Sequence, residues 1–370
     1  MSDNILCETF DCPGNKKLAR ITLNSPKTLN ALSLDMAKAM SSQLSAWEND
    51  DSIACVLIQG SGDKAFCAGG DVRAMYYAMK ENPGQACNAA ELFFATEYRL
   101  DYTIHTYKKP VIALGNGIIM GGGLGIFVGA DFRVVTPTSR VAMPEITIGL
   151  YPDVGASYFL NKMPGYSGRF LGLTGAAINA SDCIDLDLAD IFIDSTYFEE
   201  IFAQLCQQTW QNNKELDSKT IDNLLQSFAQ DSLSLKPASN VLPHLDSINA
   251  ICSEADIHTL IDNFAEYQTE DKWLSRAQKT LAAGSPLSAL IIDQQLQIAK
   301  AFSLKEAFKS EMILSTNIVR FTEFTEGVRA LLVDKDNAPN WHYRNHRDIP
   351  QEVVDGFFKA PWAVNPLDNI

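Results

Sequence analysis

Short apolar runs, two of them ending in glycine, alternate with stretches of helical period through the first half of this chain. That alternation restricts its fold more than any other feature. LARITLN (18–24) reads as a strand, and SLDMAKAMSSQLSAW (33–47) follows as an amphipathic helix. There Met36, Met40, Leu44 and Trp47 recur at helical spacing behind a Ser33 cap. IACVLIQG (53–60) and PVIALGNG (110–117) read as buried strands, separated by a glycine-rich loop and a helix from about Ala89 to Tyr107. GGGLGIFVGA suits a short helix packed tightly against backbone, and FRVV and RVAM look like two more strands. Strands alternating with helices to about Leu160 imply a layered α/β core. Beyond Gly165 helical period dominates, interrupted by polar stretches such as QNNKELDSKTID and DKDNAPNWHYRNHRDIP. The expected organisation is an α/β core at 1–165 and a helical C-terminal region at 166–370 packed on it.

Composition narrows the function. A net charge of -15 argues against nucleic acid as the main partner, because phosphate binding needs a basic surface. No apolar run approaches a membrane span. The opening MSDNILCETF shows neither signal-peptide nor transit-peptide character. Eight cysteines are scattered without a C-x-x-C pair, and five histidines lack metal-ligand spacing. These features predict a soluble, cytoplasmic, metal-free protein with reduced thiols.

Two familiar motifs fail in register. GNGIIMGGG would need glycine at Met120 to satisfy G-x-G-x-x-G, and PGYSGRF places Gly168 one residue too early for a nucleophile elbow. Two glycine clusters remain: AFCAGGD (65–71), ahead of a helix, and MGGG (120–123), between a strand and a helix. Backbone N–H groups at helix N-termini point outward unsatisfied, so two converging on one oxygen would form an oxyanion hole. Spacing alone reads equally as two tight strand-to-helix turns. Three acids also stand out. Glu97 shares a helical stripe with Phe93, Leu100 and Ile104, and is either a buried acid or a rim residue reaching water. In MPEITIGLYPDVGAS (143–157), Glu145 sits in an apolar segment after Pro144. Asp153 is either its acidic partner or the N-cap of the next helix.

Taken together, NSPKTLNALS, GDKAFCAGGDV, NGIIMGGGLG and AMPEITIGLYPDVGASYFL resemble the enoyl-CoA hydratase/isomerase (crotonase) superfamily in order and spacing. The resemblance implies a crotonase-like spiral ββα core followed by a helical C-terminal region. It implies an acyl-CoA thioester substrate, with CoA present only as part of that substrate and no other cofactor. Oxyanion donors would be the N–H groups of Gly70 and Gly122, and CoA contacts would come from Lys27, Ala31, Ala68, Gly69, Asp71 and Val72. Neither nucleic acid nor membrane is an implied partner, and the family's habit is a trimer or hexamer. Hydratases carry a glutamate at the position of Gly125; this chain lacks it, keeps Glu145 and has Asp153 where hydratases usually have glycine. YPDVG, Glu97 and FTEFTEGVRALLVDKDNAPNW resemble the 3-hydroxyisobutyryl-CoA hydrolase branch, which acts in valine breakdown. That branch implies Glu145 as nucleophile or general base, with Asp153 and Glu97 on the substrate hydroxyl or the water. An enoyl-CoA hydratase or isomerase using Glu145 alone is the alternative. Gly155–Ala156–Ser157 stands where the branch often has a glycine run, and is expected to line the mouth of the site.

Overall fold

Between residues 53 and 142 the strands come in consecutive pairs whose first member joins one sheet and whose second member joins another. The computed structural model of the chain describes residues 3–370. The six-stranded sheet contains β1 (Ile5–Cys12), β2 (Lys16–Leu23), β3 (Ile53–Gly60), β5 (Val111–Gly115), β7 (Phe132–Val135) and β10 (Ile191–Phe192), in the order β1-β2-β3-β5-β7-β10. The four-stranded sheet is β4 (Ala65–Cys67), β6 (Ile118–Met120), β8 (Arg140–Ala142) and β9 (Ile178–Asn179), in that order. Each of the pairs β3/β4, β5/β6 and β7/β8 therefore advances both sheets by one strand. That is the spiral ββα arrangement.

Burial explains which strands the sequence announces. β3 lies between β2 and β5, parallel to both, so its first six residues are buried and read as a continuous apolar run. β5 is buried throughout for the same reason, between β3 and β7. α1 (Leu34–Glu48) starts where its cap requires, Ser33 accepting a hydrogen bond from Met36 N. β1 escapes a reading from pattern because it is an edge strand with mixed exposure. β4, β6, β9 and β10 are too short for any periodicity to show.

The chain divides into two compact units, each assembled from three segments. One comprises 3–70, 99–141 and 178–239; the other comprises 71–98, 142–177 and 240–370. Neither matches the expected division at residue 165, because β9 and β10 return from the second half of the chain to pair with β8 and β7. The first unit's core joins Leu18, Leu57, Ile112, Val134 and Ile191 of the sheet to Leu205, Ile221 and Leu225. The last two lie on the helix Lys214–Ser232, which Asn213 caps, so QNNKELDSKTID is a helix start rather than an interruption. The second unit contains α2 (Val72–Lys80) and the first part of α3 (Asn88–His105). Its interior packs Phe94 against Phe324 and Tyr98 against Phe308.

α4 (Gly122–Val128) is buried at every residue. A Cβ on Gly123 would stand 2.2 Å from Cys67 O, so glycine lets α4 approach the end of β4. Gly356 has open space around it within a helix. Gly123→Ala is therefore expected to destabilise the protein by about 1–3 kcal/mol through overpacking. Gly356→Ala should be neutral or stabilising by up to about 1 kcal/mol from helix propensity. Thermal unfolding of the two variants checks the contrast.

Candidate active site

Both glycine clusters follow strands that lie side by side. β4 and β6 pair in parallel, with Ala65 opposite Ile118 and Cys67 opposite Ile119, so the residues after them emerge from the same sheet end. Gly69 has φ +111°, and a Cβ there would meet Met120 O at 3.3 Å and Gly122 N at 3.9 Å. Gly121 turns the chain at φ 50°, and Gly122 and Gly123 begin α4. The first N–H groups of such a helix have no partner within it. Two close glycine turns, one opening a helix, give backbone donors that an anionic oxygen can approach.

The same unit holds four of the six residues expected to touch CoA: Lys27, Ala31, Ala68 and Gly69. Leu32 N donates to Gly69 O, Ala68 N donates to Leu29 O, and Leu32 bridges Gly70 as a parallel pair. Ala31 and the Ala68–Gly70 backbone thus run alongside each other. Lys27 is exposed on a short 3-10 turn, Pro26–Thr28. It lines a cleft of about 260 Å³ with Lys64, Asp63, Asn30, Ser61 and Gly62, two cations beside one acid. In the other unit, Asp71 accepts a hydrogen bond from Ala74 N and caps α2, which begins at Val72, so its carboxylate already has a structural task.

The second unit holds the acids. Glu97 is 2 % exposed, Glu145 5 % and Asp153 3 %. Glu97 is thus no rim residue: α3 turns it inward. Asp153 is no helix cap either, since Gly155 occupies the cap of Ala156–Phe159. Instead Tyr98, one residue after Glu97, donates its hydroxyl to Asp153 Oδ2 at 2.6 Å. Glu145 opens a 3-10 turn, Glu145–Ile148, three residues beyond β8. Glu97 Oε1 and Glu145 Oε2 are buried with no hydrogen-bond partner among the described residues.

Burial is the largest influence on the electrostatics of these acids. It pushes Glu97 well above the usual carboxylate range, and the charge of Asp153 adds to the effect. Glu145 is likewise held well above that range, by burial first and then by Asp153. Asp153 is pushed up to about 6 by burial, against which the Tyr98 hydrogen bond works. One acid that readily ionises beside two that resist ionisation is a usual acid/base arrangement. Among the described residues no group of three or more His, Cys, Asp or Glu is placed to hold a metal ion.

The expectation that Gly155–Ser157 fronts the mouth meets a different outcome. Ser157 is buried, its hydroxyl on the carboxylate of Glu311. Glu311, Tyr98 and Ser315 surround Asp153's segment and were not singled out from sequence. The stripe test that raised Glu97 would have found Glu311, which lies at helical spacing from Ala307, Phe308, Leu314 and Ser315.

Paired strands feeding two sheets, glycine turns after β4 and β6, and buried acids after β8 define a crotonase fold. The chain belongs to the enoyl-CoA hydratase/isomerase family, whose model matches residues 18–358. Within that family it is similar to the mitochondrial 3-hydroxyisobutyryl-CoA hydrolases of Xenopus tropicalis and Homo sapiens. The first is 37% identical over 341 residues, covering 92% of this chain and 86% of the relative. The human enzyme is 36% identical over 360 residues, covering 97% and 89%. Among solved structures, a carnitinyl-CoA dehydratase from Mycobacterium thermoresistibile superposes with TM-score 0.86 at 29% identity, covering 100% of each chain. An enoyl-CoA hydratase from Rhodobacter sphaeroides 2.4.1 superposes with TM-score 0.83 at 27% identity, covering 97% of this chain and 98% of the other. The hydrolases are named as mitochondrial, which overturns the expectation of a cytoplasmic protein. Reduced thiols and an acidic surface suit either compartment, so composition could not choose between them.

The raised acids predict a pH dependence of stability. Asp153 ionises at about 6 in the fold against an ordinary 3.8, so its contribution is full below about 4 and is lost as pH rises through about 6. Asp153→Asn removes that loss. The melting temperature of the variant minus that of wild type is expected to become more positive between pH 4 and pH 7, by the equivalent of about 1–3 kcal/mol. Calorimetry across that range checks it.

Proposed function

We propose that this chain is a thioesterase that hydrolyses 3-hydroxyisobutyryl-CoA, or a near relative such as 3-hydroxypropionyl-CoA, in valine breakdown. One observation carries the reading. α4 has Gly125 where hydratases of the family have their first glutamate, while Glu145 and Asp153 are both buried and Glu145 Oε2 has no partner. A hydratase manages its water with two glutamates, whereas this pair suits attack on an acyl carbon. The curated relatives named as 3-hydroxyisobutyryl-CoA hydrolases support the same substrate class.

In this reading the N–H groups of Gly70 and Gly122 hold the thioester oxygen as it becomes anionic. Glu145 acts in one of two ways. As nucleophile, its carboxylate oxygen bonds to the acyl carbon, the C–S bond breaks, and the thiolate leaves and takes up a proton. Water then opens the mixed anhydride and restores the carboxylate. As general base, Glu145 takes a proton from a water that attacks the acyl carbon directly; the C–S bond then breaks, and the leaving thiolate takes up the proton from Glu145. Either role gains from burial, because a carboxylate held above its usual range is a stronger base near neutral pH. Asp153 and Glu97 orient the 3-hydroxyl or the water. Lys27 and Lys64 in the cleft supply charge for the phosphates of CoA.

The experiment is release of free thiol from 3-hydroxyisobutyryl-CoA by wild type, Glu145→Gln and Asp153→Asn. Wild type is expected to release thiol, with activity rising as pH climbs through about 6 and above, since the ionised carboxylates do the work. Glu145→Gln should lose about 10²–10⁴ in kcat. A wild type that releases no thiol, or Glu145→Gln at full activity, contradicts the assignment. Loss of unsaturated thioester absorbance with crotonyl-CoA would point to a hydratase instead. Lys27→Ala is expected to raise KM with kcat nearly unchanged, as loss of a contact shared by ground and transition states does; steady-state kinetics on the same thioester checks this.

A further inference from the structure

We infer that Glu311, on the helix Leu304–Val319, is a positioning residue for Asp153. The inference rests on the thioesterase reading of Asp153 given above. The turn carrying Asp153 is not one the backbone adopts unaided. Val154 has φ 53° and Gly155 φ 87°, two successive left-handed residues of which the first is β-branched. Something in the surroundings must hold it.

Glu311 is fully buried and does so through both carboxylate oxygens. Oε2 accepts from Gly155 N at 2.7 Å; Oε1 accepts from Ser157 N at 3.0 Å and from Ser157 Oγ at 2.5 Å. The same helical turn grips the rest of the segment. Glu311 O accepts from the Tyr151 hydroxyl at 2.7 Å, and that hydroxyl lies 2.9 Å from Ser315 Oγ. Ser315 Oγ is 2.6 Å from the hydroxyl of Tyr98, which donates to Asp153 Oδ2. Residues 311–315 therefore fix Asp153 on both sides: through the backbone beyond it and through the hydroxyl on its carboxylate.

The chemistry at position 311 is specific. Three donors, two backbone N–H groups and one hydroxyl, converge on it, and because the two N–H groups meet different oxygens, each oxygen must accept. Glutamine keeps the shape but turns an NH₂ toward one of those donors. Serine at position 157 adds a donor that glycine would lack, so the residue that departs from the family's glycine run serves this clamp.

Thiol release from 3-hydroxyisobutyryl-CoA tests the inference as a double-mutant cycle of Glu311→Gln and Asp153→Asn in the full chain. Glu311→Gln alone is expected to lower kcat by about 10- to 10²-fold with KM little changed, as a displaced reacting group does. In the Asp153→Asn background it should cost little more, because the residue it positions is already disabled. If the two losses multiply independently, or if Glu311→Gln lowers only the melting temperature, the inference is overturned. Should Glu311→Gln fail to fold, the cycle is run with Ser157→Ala, which removes one donor and leaves both backbone donors. A smaller kcat loss that vanishes in Asp153→Asn supports the inference, and an independent one overturns it. A wild type that releases no thiol overturns the thioesterase reading and this inference with it. An active wild type with an independent cycle overturns this inference alone.

Discussion

Glu97, Glu145, Asp153 and Glu311 are four of the carboxylates buried in one unit, and burial is the largest cause acting on each. An ionised carboxylate removed from water without a counter-ion costs several kcal/mol, so such groups neutralise or gather donors. Here they divide the two responses. Glu311 collects three donors yet burial still pushes it up to about 8, and Asp153 has the Tyr98 hydroxyl and is pushed only to about 6. Glu97 and Glu145 each keep an oxygen without a partner among the described residues and are held well above the ordinary range. A stable interior built for its own sake would place apolar residues at these positions. In the proposed thioesterase reading, a substrate hydroxyl or a water satisfies the unmet oxygens.

The other unit holds the two glycine turns. Pairing of β4 with β6 brings two glycine turns together, and the fit depends on absent Cβ atoms at Gly69 and Gly123.

How much of this was legible in the sequence depended on whether a residue's reason was local. The Ser33 cap, the helix behind it, and the strands β3 and β5 were readable, because capping and two-faced burial act over a few residues. The glycine clusters were readable, but not the strands before them, since three residues carry no period. Glu145 stood out as an acid in an apolar segment. Asp153 did not separate from a helix cap until Tyr98, 55 residues earlier, was seen to donate to it. Glu311 was not singled out, and its hydrogen-bond partners lie more than 150 residues away. The division into interleaved units was hidden for the same reason, two-residue strands returning from the far half of the chain.

The most direct measurement is a crystal structure of Glu145→Gln with 3-hydroxyisobutyryl-CoA bound. The account predicts the thioester oxygen on the N–H groups of Gly70 and Gly122. It also predicts the side chain at position 145 about 3–3.5 Å from the acyl carbon, a near-attack distance, with the 3-hydroxyl at Asp153 or Glu97. An acyl group bound away from these acids, with no carboxylate position within reach of its carbonyl, would contradict it.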